Sequence, residues 1–377
     1  MQPIAKERFL ALDVFRGMTI CLMIIVNTPG NGDTTFAPLE HAHWNGFTPT
    51  DLVFPSFMFA VGNAMSFVMK RWHEMHTSAV LGKIFKRTLI IFLCGYLLYW
   101  FPFFEYNDQH HLILSPISDT RIFGVLQRIA LAYCFASLML YFLGIRTTVI
   151  VTILILILYW PVMVHFGSGP DPLDMHTNAV LHLDTWLIGT KHLYMGEGFP
   201  FDPEGLLSTF PSIGNIVGGY LVGRYVQKNG KTFEGLSKLF LAGFILFVIA
   251  FWWNYGFPIN KKLWTSSFVV HTVGLDCMLL ACIMYYVDFA NKRTGVWFFE
   301  VVGKNPLFVY LVSELSIEIF YMINIHGTPL PEWLFTNVFS FGGAIPYIGS
   351  LLFAIFYMLY CWTVGYILDR NKIYIRV

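Results

Sequence analysis

Apolar segments long enough to cross a membrane recur along the whole chain, and they constrain its fold more than any other feature. A transmembrane helix needs about 20 mostly apolar residues. Ten stretches have this length and character, and they lie near residues 12–28, 51–69, 84–102, 122–142, 147–166, 205–225, 237–256, 267–289, 305–325 and 345–367. The sequence therefore predicts an all-α protein, a polytopic helical membrane bundle of about ten transmembrane helices in a lipid bilayer.

The composition supports this prediction by excluding most soluble classes. Of the 377 residues, 12% are charged and 56% are hydrophobic, whereas an ordinary soluble domain has about 25% charged residues. A soluble chain of this composition would expose large apolar patches to water. The net charge of +1 provides no basic field for nucleic acid, and the six cysteines lie in apolar runs without metal-binding spacing. We expect no nucleic-acid partner, no disulfides and no bound metal.

The first, fifth and sixth stretches carry further signals. The N-terminal segment lacks a small-residue cleavage site, so the first stretch is expected to be a retained span and not a signal peptide. The fifth stretch is apolar on all sides and is expected to face lipid. The sixth contains overlapping GxxxG pairs formed by Gly214, Gly218, Gly219 and Gly223, which favour close helix packing.

Basic residues alternate between loops, and this pattern predicts the orientation of the chain. They are concentrated near both termini and in every second loop: Lys6, Arg8, Lys70, Arg71, Lys83, Lys86, Arg87, Arg146, Arg224, Lys228, Lys231, Lys238, Lys292, Arg293, Arg370, Lys372 and Arg376. The intervening loops contain only Arg121, Lys191, Lys261 and Lys262. Since basic loops stay in the cytoplasm, both termini are expected to be cytoplasmic, and the long loops 28–50, 103–121 and 167–204 are expected to lie outside.

Ionisable residues within the spans need a reason, because each costs about 2.5–3.5 kcal/mol in hydrocarbon. Asp13 and Arg16 stand three residues apart, which suits a helix-fixing ion pair and a substrate contact equally. Arg128 lies deep in the fourth stretch, where a structural ion pair is favoured for it taken alone. Lys304, at the predicted cytoplasmic start of the ninth stretch, suits either a phosphate contact or an anchor for the helix end.

The densest polar and aromatic cluster is HAHWNGFTPTDLVFP, residues 41–55, at the predicted outer end of the second span. A histidine here can serve as general base or nucleophile near neutral pH, since its ordinary pKa is about 6.5. His41 and His43 stand two apart without an HExxH motif or further Cys/His ligands, which disfavours a metal site. Asp51 taken alone suits a helix cap. From the residues alone, catalysis and a sugar-stacking or headgroup-binding loop are open alternatives.

Several runs of the chain, taken in order, resemble the heparan-α-glucosaminide N-acetyltransferase family. They are LDVFRGMTICLMIIVN (12–27), HAHWNGFTPTDLVFPSFMFAVG (41–62), GVLQRIALAY (124–133), DPEGLLSTFPSI (202–213), PINKKLWTSSFVV (258–270) and GKNPLFVYL (303–311). The HA-x-WNG-x-T-x-x-DLVFP pattern is long enough that chance agreement is implausible. The chain is similar to bacterial members, which lack the extra N-terminal luminal region and first span of eukaryotic members, and it begins where that shared core begins.

This resemblance implies a single transmembrane acyltransferase domain over residues 1–377, multi-pass in a bacterial inner membrane. Such an enzyme transfers acetyl from cytosolic acetyl-CoA to the amino group of a glucosamine or glucosaminide on the periplasmic side, with no metal. The family's active histidine matches His41, and its partners match Asn27 and Asp51. The resemblance also favours a donor-binding role for Arg128, whereas Lys304 is a candidate donor contact from its position alone.

The chemistry of acetyl transfer suggests how these residues act. The phosphates of acetyl-CoA cannot cross the bilayer core, so its pantetheine arm must reach His41 through the bundle. His41 removes a proton from the acceptor amine in a direct ternary complex, or it attacks first and carries the acetyl group as acetyl-imidazole; we prefer the direct route. Asp51 would orient the imidazole, and Asn27 would donate to the oxyanion, a contact worth about 3–4 kcal/mol.

Sugar contacts are expected from aromatic rings and polar groups near the outer face. The candidates are Trp44, Asn45, Asp202, Glu204 and Trp264. Aromatic rings stack on sugar faces, and carboxylates bind the ammonium of glucosamine. For each tryptophan alone, a place in the interfacial aromatic belt is the simpler explanation.

Two other functions fit the sequence. One is O-acylation of an envelope polysaccharide by a related membrane acyltransferase. The other, from a different class, is secondary transport of a sugar or a coupled ion, against which the absence of internal sequence repeats counts. The natural acceptor and the oligomeric state stay open, with a homodimer as one option.

Overall fold

Helices account for nearly all of the regular structure. The computed structural model describes residues 9–106, 109, 111–230 and 232–375. The helices are α1 (Leu10–Asn27), α2 (Pro49–Val68), α3 (Thr77–Trp100), α4 (Val125–Phe142), α5 (Gly144–Phe166), α6 (Ala179–Ile188), α7 (Leu206–Asn229), α8 (Phe233–Trp253), α9 (Ser266–Met284), α10 (Val296–Lys304), α11 (Pro306–Met322), α12 (Leu330–Leu334) and α13 (Pro346–Arg370). Two small antiparallel hairpins pair β1 (Phe104–Tyr106) with β2 (Leu112–Leu114) and β3 (Asn324–Ile325) with β4 (Thr328–Pro329). The predicted all-α class is confirmed.

The ten predicted spans all coincide with helices. Within the described ranges, seven helices are long and apolar enough to cross a membrane, namely α1, α2, α4, α5, α8, α9 and α13. Of the other three, α3 carries Lys83, Lys86 and Arg87, α7 is interrupted by small and polar residues, and α11 has 17 residues. Four of the basic residues used to predict orientation, Lys6, Arg8, Lys231 and Arg376, lie outside the described residues.

The chain forms two compact units. The first consists of Met1–Glu40, Tyr225–Gly243 and Asp276–Arg376, and the second of His41–Arg224, Phe244–Leu275 and Val377. The prediction of one domain over residues 1–377 stays a prediction.

In the first unit, α1 packs closely against α10 through two glycines. A Cβ added to Gly17 would lie 1.8 Å from the carbonyl oxygen of Phe299, and one added to Gly303 would lie 2.0 Å from that of Asp13. The predicted ion pair between Asp13 and Arg16 is present at 3.3 Å. Arg16 also donates to the carbonyl of Gly303 at 3.0 Å, so this pair fixes the contact between the two helices.

In the second unit, α7 packs against two other helices through the two GxxxG pairs. Gly214 and Gly218 face α9, where an added Cβ would lie 2.8 Å from Val269 and 3.0 Å from Val273. Gly219 faces α2, where its Cβ would lie 2.0 Å from the carbonyl oxygen of Phe59, and Gly223 lies on the same side. The predicted packing role of these glycines is therefore confirmed, and each pair serves a different neighbour.

The rest of the second unit includes a helix that faces lipid and a group of packed loops. Only 17% of the apolar window of α5 is buried, as expected of a helix in contact with lipid. The loops before α6, α7 and α9 pack around a cluster that includes Tyr159, Phe201, Phe257 and Leu263. This cluster holds the loops that carry the candidate site.

Candidate active site

His41 and Asp51 form the centre of the candidate site. The Nδ1 of His41 lies 2.7 Å from Oδ1 of Asp51. The Asp51 side chain is fully buried, whereas 44% of the His41 side chain is exposed. The buried carboxylate therefore binds the imidazole at Nδ1, and part of the ring stays exposed.

Local backbone structure explains why Asp51 is in this position. Asp51 is the third residue of α2, and it forms a capping box with Thr48. Its Oδ2 accepts hydrogen bonds from the backbone N–H of Thr48 at 3.0 Å and of Ala42 at 3.1 Å. Oδ2 thus satisfies free backbone donors at the helix start, and Oδ1 remains for His41. The capping and catalytic interpretations of Asp51 are compatible.

A second loop, 258–265, is bonded to the loop that carries His41. The backbone N–H of Gly46 donates to the carbonyl of Ile259 at 2.8 Å, and the side chain of Asn260 donates to Oδ1 of Asn45 at 3.1 Å. Asn45 itself is exposed. Lys261 follows directly, and its Nζ lies 3.0 Å from Nδ1 and 3.1 Å from Nε2 of His41.

The charges around His41 determine its protonation. Burial disfavours the imidazolium and, together with the ammonium of Lys261, lowers the pKa of His41 below its ordinary value, although Asp51 and Glu204 act in the opposite direction. The uncharged imidazole is the form that can accept a proton near neutral pH. The site is therefore suited to general-base chemistry.

A buried ion-pair network lies in the loops before α4 and α7. Arg121 donates to both oxygens of Asp202, at 2.9 and 2.7 Å, and to Glu204 at 2.7 Å. Its guanidinium lies 4.7 Å from the ring centroid of Tyr99 and 4.6 Å from that of Tyr194. Asp202 is fully buried and Glu204 is nearly so. Both predicted acidic contacts are thus held by one arginine.

Glu204 connects this network electrostatically to His41. Burial opposes the charged form of Glu204, but the cations Arg121, Arg128 and Lys261 outweigh that effect and lower its pKa. The carboxylate of Glu204 also acts on the imidazole of His41. Glu204 is therefore an ionised group in the electrostatic environment of the candidate base.

Arg128 is fully buried near the start of α4 and stacks on Trp264, with 4.6 Å between guanidinium and ring centroid. One terminal nitrogen donates to the carbonyls of Pro203 and Gly205 and to the hydroxyl of Ser208. Its Nε and other terminal nitrogen have no hydrogen-bond partner among the described residues. A structural ion pair was favoured for this arginine alone, but its direct partners are neutral oxygens.

Two predicted sugar contacts have packing roles in this structure. Trp264 is fully buried, donates to Asn215 at 3.0 Å and supports Arg128. Trp44 donates to the carbonyl of Leu173 at 3.0 Å and packs edge-on against Phe201. A sugar would reach Trp264 only if neighbouring side chains moved, whereas Trp44 is only partly buried.

Asn27 and Lys304 belong to the first unit. Asn27 is the last residue of α1, and its side chain is hydrogen-bonded to the carboxyl group of Glu314 on α11. Lys304 binds Asp369 at 2.9 Å and lies 3.3 Å from Glu300. These two ion pairs match the helix-anchor alternative, and a phosphate would compete with them.

Lys261 is the site residue that motif analysis missed. A usable signal was present, since the predicted outer loops contain only four basic residues. In the structure each of these has an acidic partner: Arg121 with Asp202, Lys191 with Asp119, Lys261 with Asp51 and Lys262 with Glu197. A basic residue in a loop with few other basic residues is therefore a candidate partner of a buried acidic residue.

No group of three or more His, Cys, Asp or Glu side chains is arranged to hold a metal ion in the part of the chain that the structure describes.

Comparison with known proteins identifies the family. Residues 8–252 match the family model described as heparan-alpha-glucosaminide N-acetyltransferase, catalytic. The heparan-alpha-glucosaminide N-acetyltransferase of Mus musculus is 28% identical, with 82% of this chain and 54% of the relative covered. That of Homo sapiens is also 28% identical, with 82% and 53% covered. The chain thus spans about half the length of the curated relatives it matches.

The matched range includes His41, Asp51, Arg121, Arg128 and Glu204 and ends before Lys261. It covers more than half of the chain, and it agrees with the resemblance noted in the motifs. With seven apolar helices suited to crossing a membrane, the chain is a multi-pass membrane protein that belongs to the heparan-alpha-glucosaminide N-acetyltransferase catalytic family.

Proposed function

We propose that this protein is an acetyl-CoA-dependent transmembrane N-acetyltransferase. It transfers acetyl from cytosolic acetyl-CoA to the amino group of a glucosamine or glucosaminide on the opposite side of the membrane. The observation that carries the proposal is the 2.7 Å contact between His41 and the buried Asp51, in a chain of this family. An amine acceptor needs a base, and this pair supplies an oriented one.

His41 acts as the base in the proposed reaction. Its Nδ1 proton is bound by Asp51, which leaves the Nε2 lone pair to take the proton of the acceptor amine as the amine attacks the thioester carbonyl. Asp51 then stabilises the imidazolium that forms. The C–S bond then breaks, and the imidazolium of His41 returns the proton to the departing thiolate of CoA, which leaves the amide product and an uncharged His41. In the alternative route His41 attacks first and forms acetyl-imidazole; we prefer the direct route.

Arg128 is proposed to bind the donor. Its Nε and one terminal nitrogen are buried donors without a hydrogen-bond partner among the described residues, and a buried N–H group gains from an acceptor oxygen. A carbonyl oxygen of the acetyl-pantetheine arm of acetyl-CoA is such an acceptor. Asn27 is proposed as an oxyanion donor and Lys304 as a phosphate contact, which would require Lys304 to exchange its present carboxylate partners.

The acceptor is proposed to bind beside His41. Asn45 is exposed next to the pair, Trp44 offers a partly exposed ring, and Glu204 supplies a carboxylate charge that attracts an amino sugar. Asp202 is fully buried against Arg121, and Trp264 is buried as well. Both are proposed to affect acceptor binding indirectly, by supporting the residues that contact the acceptor.

The distribution of basic residues supports the proposed sidedness. Lys and Arg are concentrated at both ends and in alternate loops, which favours cytoplasmic termini and an outer position for His41. We propose that the membrane is a bacterial inner membrane.

The test is release of free CoA by purified protein supplied with acetyl-CoA and glucosamine, for the wild type and for His41→Ala. We expect release by the wild type, and a decrease of about 10²–10⁴-fold in His41→Ala because the base is lost. His43→Ala is the matched control, since His43 is an exposed neighbour of the same type. Mass spectrometry of the product separates N-acetylation from O-acetylation. No CoA release by the wild type would exclude transfer to this acceptor.

A further inference from the structure

Lys261 lies against the imidazole ring of His41. Its Nζ is 3.1 Å from Nε2 and 3.0 Å from Nδ1 of His41, and 3.8 Å from Oδ1 of Asp51. Only 16% of the Lys261 side chain is exposed. The ammonium is therefore close to both the imidazole and the buried carboxylate, which contact each other.

The backbone around Lys261 is fixed by buried hydrogen bonds. Asn260 accepts from the N–H of Leu263 at 2.8 Å and donates to Asn45 at 3.1 Å, and the N–H of Trp264 donates to the carbonyl of Lys261 at 3.0 Å. Asn260 is fully buried. The position of the lysine is thus set by the loop and not by the side chain alone.

The contact with Asp51 determines the tautomer of His41. An ammonium can only donate hydrogen bonds, and a carboxylate can only accept them. Since Nδ1 lies 2.7 Å from Asp51, the ring proton must be on Nδ1, and Nδ1 then has no lone pair for Lys261. Because Nζ of Lys261 is nearly equidistant from the two ring nitrogens, the ammonium lies over the ring and not in line with the Nε2 lone pair. A cation in this position disfavours a second positive charge on the imidazole.

The charges that face His41 come from three elements. Asp51 on α2 and Glu204 before α7 favour the imidazolium, and Lys261 before α9 disfavours it. Burial, together with Lys262 and Arg128, lowers the pKa of Lys261, whereas Asp51 and Glu204 act in the opposite direction and favour its ammonium form. Without Lys261, two carboxylates would act on His41 with no cation against the ring, and a protonated base could not accept a proton from an amine.

We propose that Lys261 is a positioning residue of the acetyl-transfer site, whose ammonium against the ring keeps His41 uncharged, so that the Nε2 lone pair can take the proton of the acceptor amine. This inference rests on the proposed function for its catalytic meaning. The contact between Lys261 and His41 does not depend on that function and can be measured separately.

The neighbouring Lys262 provides a matched control. Its Nζ lies 2.5 Å from Glu197, so it has the same side chain one residue away with a different partner. Lys261→Met and Lys262→Met therefore remove the same charge and the same number of atoms. Lys261→Arg retains a cation at the site.

The experiment measures the protonation of His41 in two ways in the full-length protein. The first is the pH dependence of the rate of CoA release, divided by the concentration of uncharged acceptor amine. The second is the pH dependence of diethyl pyrocarbonate modification, which reacts with uncharged imidazole, read at His41 by tandem mass spectrometry without any acetyl transfer. We expect Lys261→Met to raise both midpoints by about one pH unit, as loss of a nearby like charge does, and Lys261→Arg and Lys262→Met to leave them near wild type.

The possible outcomes test the role of Lys261 and the proposed function separately. If Lys261→Met leaves the modification midpoint unchanged, or if Lys262→Met shifts it equally, the inference is overturned. If the midpoint shifts as expected but wild-type protein releases no CoA, the Lys261–His41 coupling stands and the proposed function fails. If Lys261→Met is poorly folded, Lys261→Gln removes the same charge with a polar side chain and must give the same shift, and Lys261→Arg is the control that keeps the charge in place.

Discussion

The imidazole of His41 and the carboxylate of Asp51 are ten residues apart in sequence, and their Nδ1 and Oδ1 atoms are 2.7 Å apart. The same carboxylate caps α2 through its other oxygen, which accepts backbone N–H groups of Ala42 and Thr48. Because Oδ2 is fixed at the start of α2, the Asp51 side chain cannot rotate freely, and the position of Oδ1 is fixed as well. The orientation of His41 is therefore determined by the beginning of a buried helix.

Asp51→Asn is expected to reduce the rate of CoA release by about 10³–10⁴-fold, because an amide no longer fixes the Nδ1–H tautomer or stabilises the imidazolium. Steady-state kinetics measure this loss. Thr48→Ala is the control, since it removes the 3.1 Å hydroxyl contact to Asp51 but retains the backbone bond and the carboxylate. It should cost about 1 kcal/mol of stability with a rate near wild type. An Asp51→Asn enzyme with most of the wild-type rate would contradict the role assigned to Asp51.

The pH dependence of the wild-type reaction is expected to decline only on the acidic side of the ordinary histidine pKa. The base must be uncharged, and burial together with Lys261 lowers the pKa of His41 below 6.5. As pH falls, the rate per uncharged amine should therefore stay constant to below pH 6.5 and then decrease. Asp51 raises the pKa of His41, so the residual activity of Asp51→Asn should persist to lower pH than that of the wild type. A decline that begins above pH 6.5 in the wild type would contradict this assignment.

Arg121→Met is expected to destabilise the protein by about 3–5 kcal/mol, because it leaves buried carboxylates without their cation. Both Asp202 and Glu204 bind Arg121 at 2.7 Å, and Asp202 is fully buried. Lys191→Met is the matched control, since Lys191 and its partner Asp119 are largely exposed, and loss of an exposed pair costs about 0–1 kcal/mol. Thermal unfolding in detergent measures both. Equal effects of the two substitutions would show that burial of the Arg121 network is energetically unimportant.

Gly219→Ala is expected to weaken the packing of α7 on α2 by about 1–3 kcal/mol, the usual cost of overpacking. The added methyl carbon would lie 2.0 Å from the carbonyl oxygen of Phe59, which is backbone and cannot rotate away. Gly82→Ala, in the second turn of α3, meets nothing within 4 Å, and it should stabilise its helix by about 0.5–1 kcal/mol. The two unfolding temperatures should therefore move in opposite directions. A gain in stability for Gly219→Ala would be inconsistent with the α2–α7 contact described above.

Sequence analysis predicted the features that depend on neighbouring residues along the chain. The apolar length of α1, α2 and α13, the exposure of α5 and the packing of Gly214, Gly218, Gly219 and Gly223 all follow from composition and spacing. The polar block around His41 was also visible, because charge is scarce in this chain. Seven of the ten predicted spans have the length and apolar character to cross a membrane.

The environment of His41 could not be predicted in the same way. Lys261 contacts His41 across 220 residues, and Arg121 contacts Asp202 across 81. Trp264 was predicted to bind sugar, and it supports Arg128 from a fully buried position. No spacing rule connects these positions, since each contact depends on where the loops before α4, α7 and α9 end.

The sequence by itself determined that this is a helical membrane protein with one polar block, because hydrophobic length and charge distribution are local properties. Only the tertiary structure decided which cation faces which carboxylate. It brings together helix starts that are distant in the chain. In a buried site the choice of partner decides which carboxylates Arg121 binds and whether His41 is an uncharged base beside Lys261.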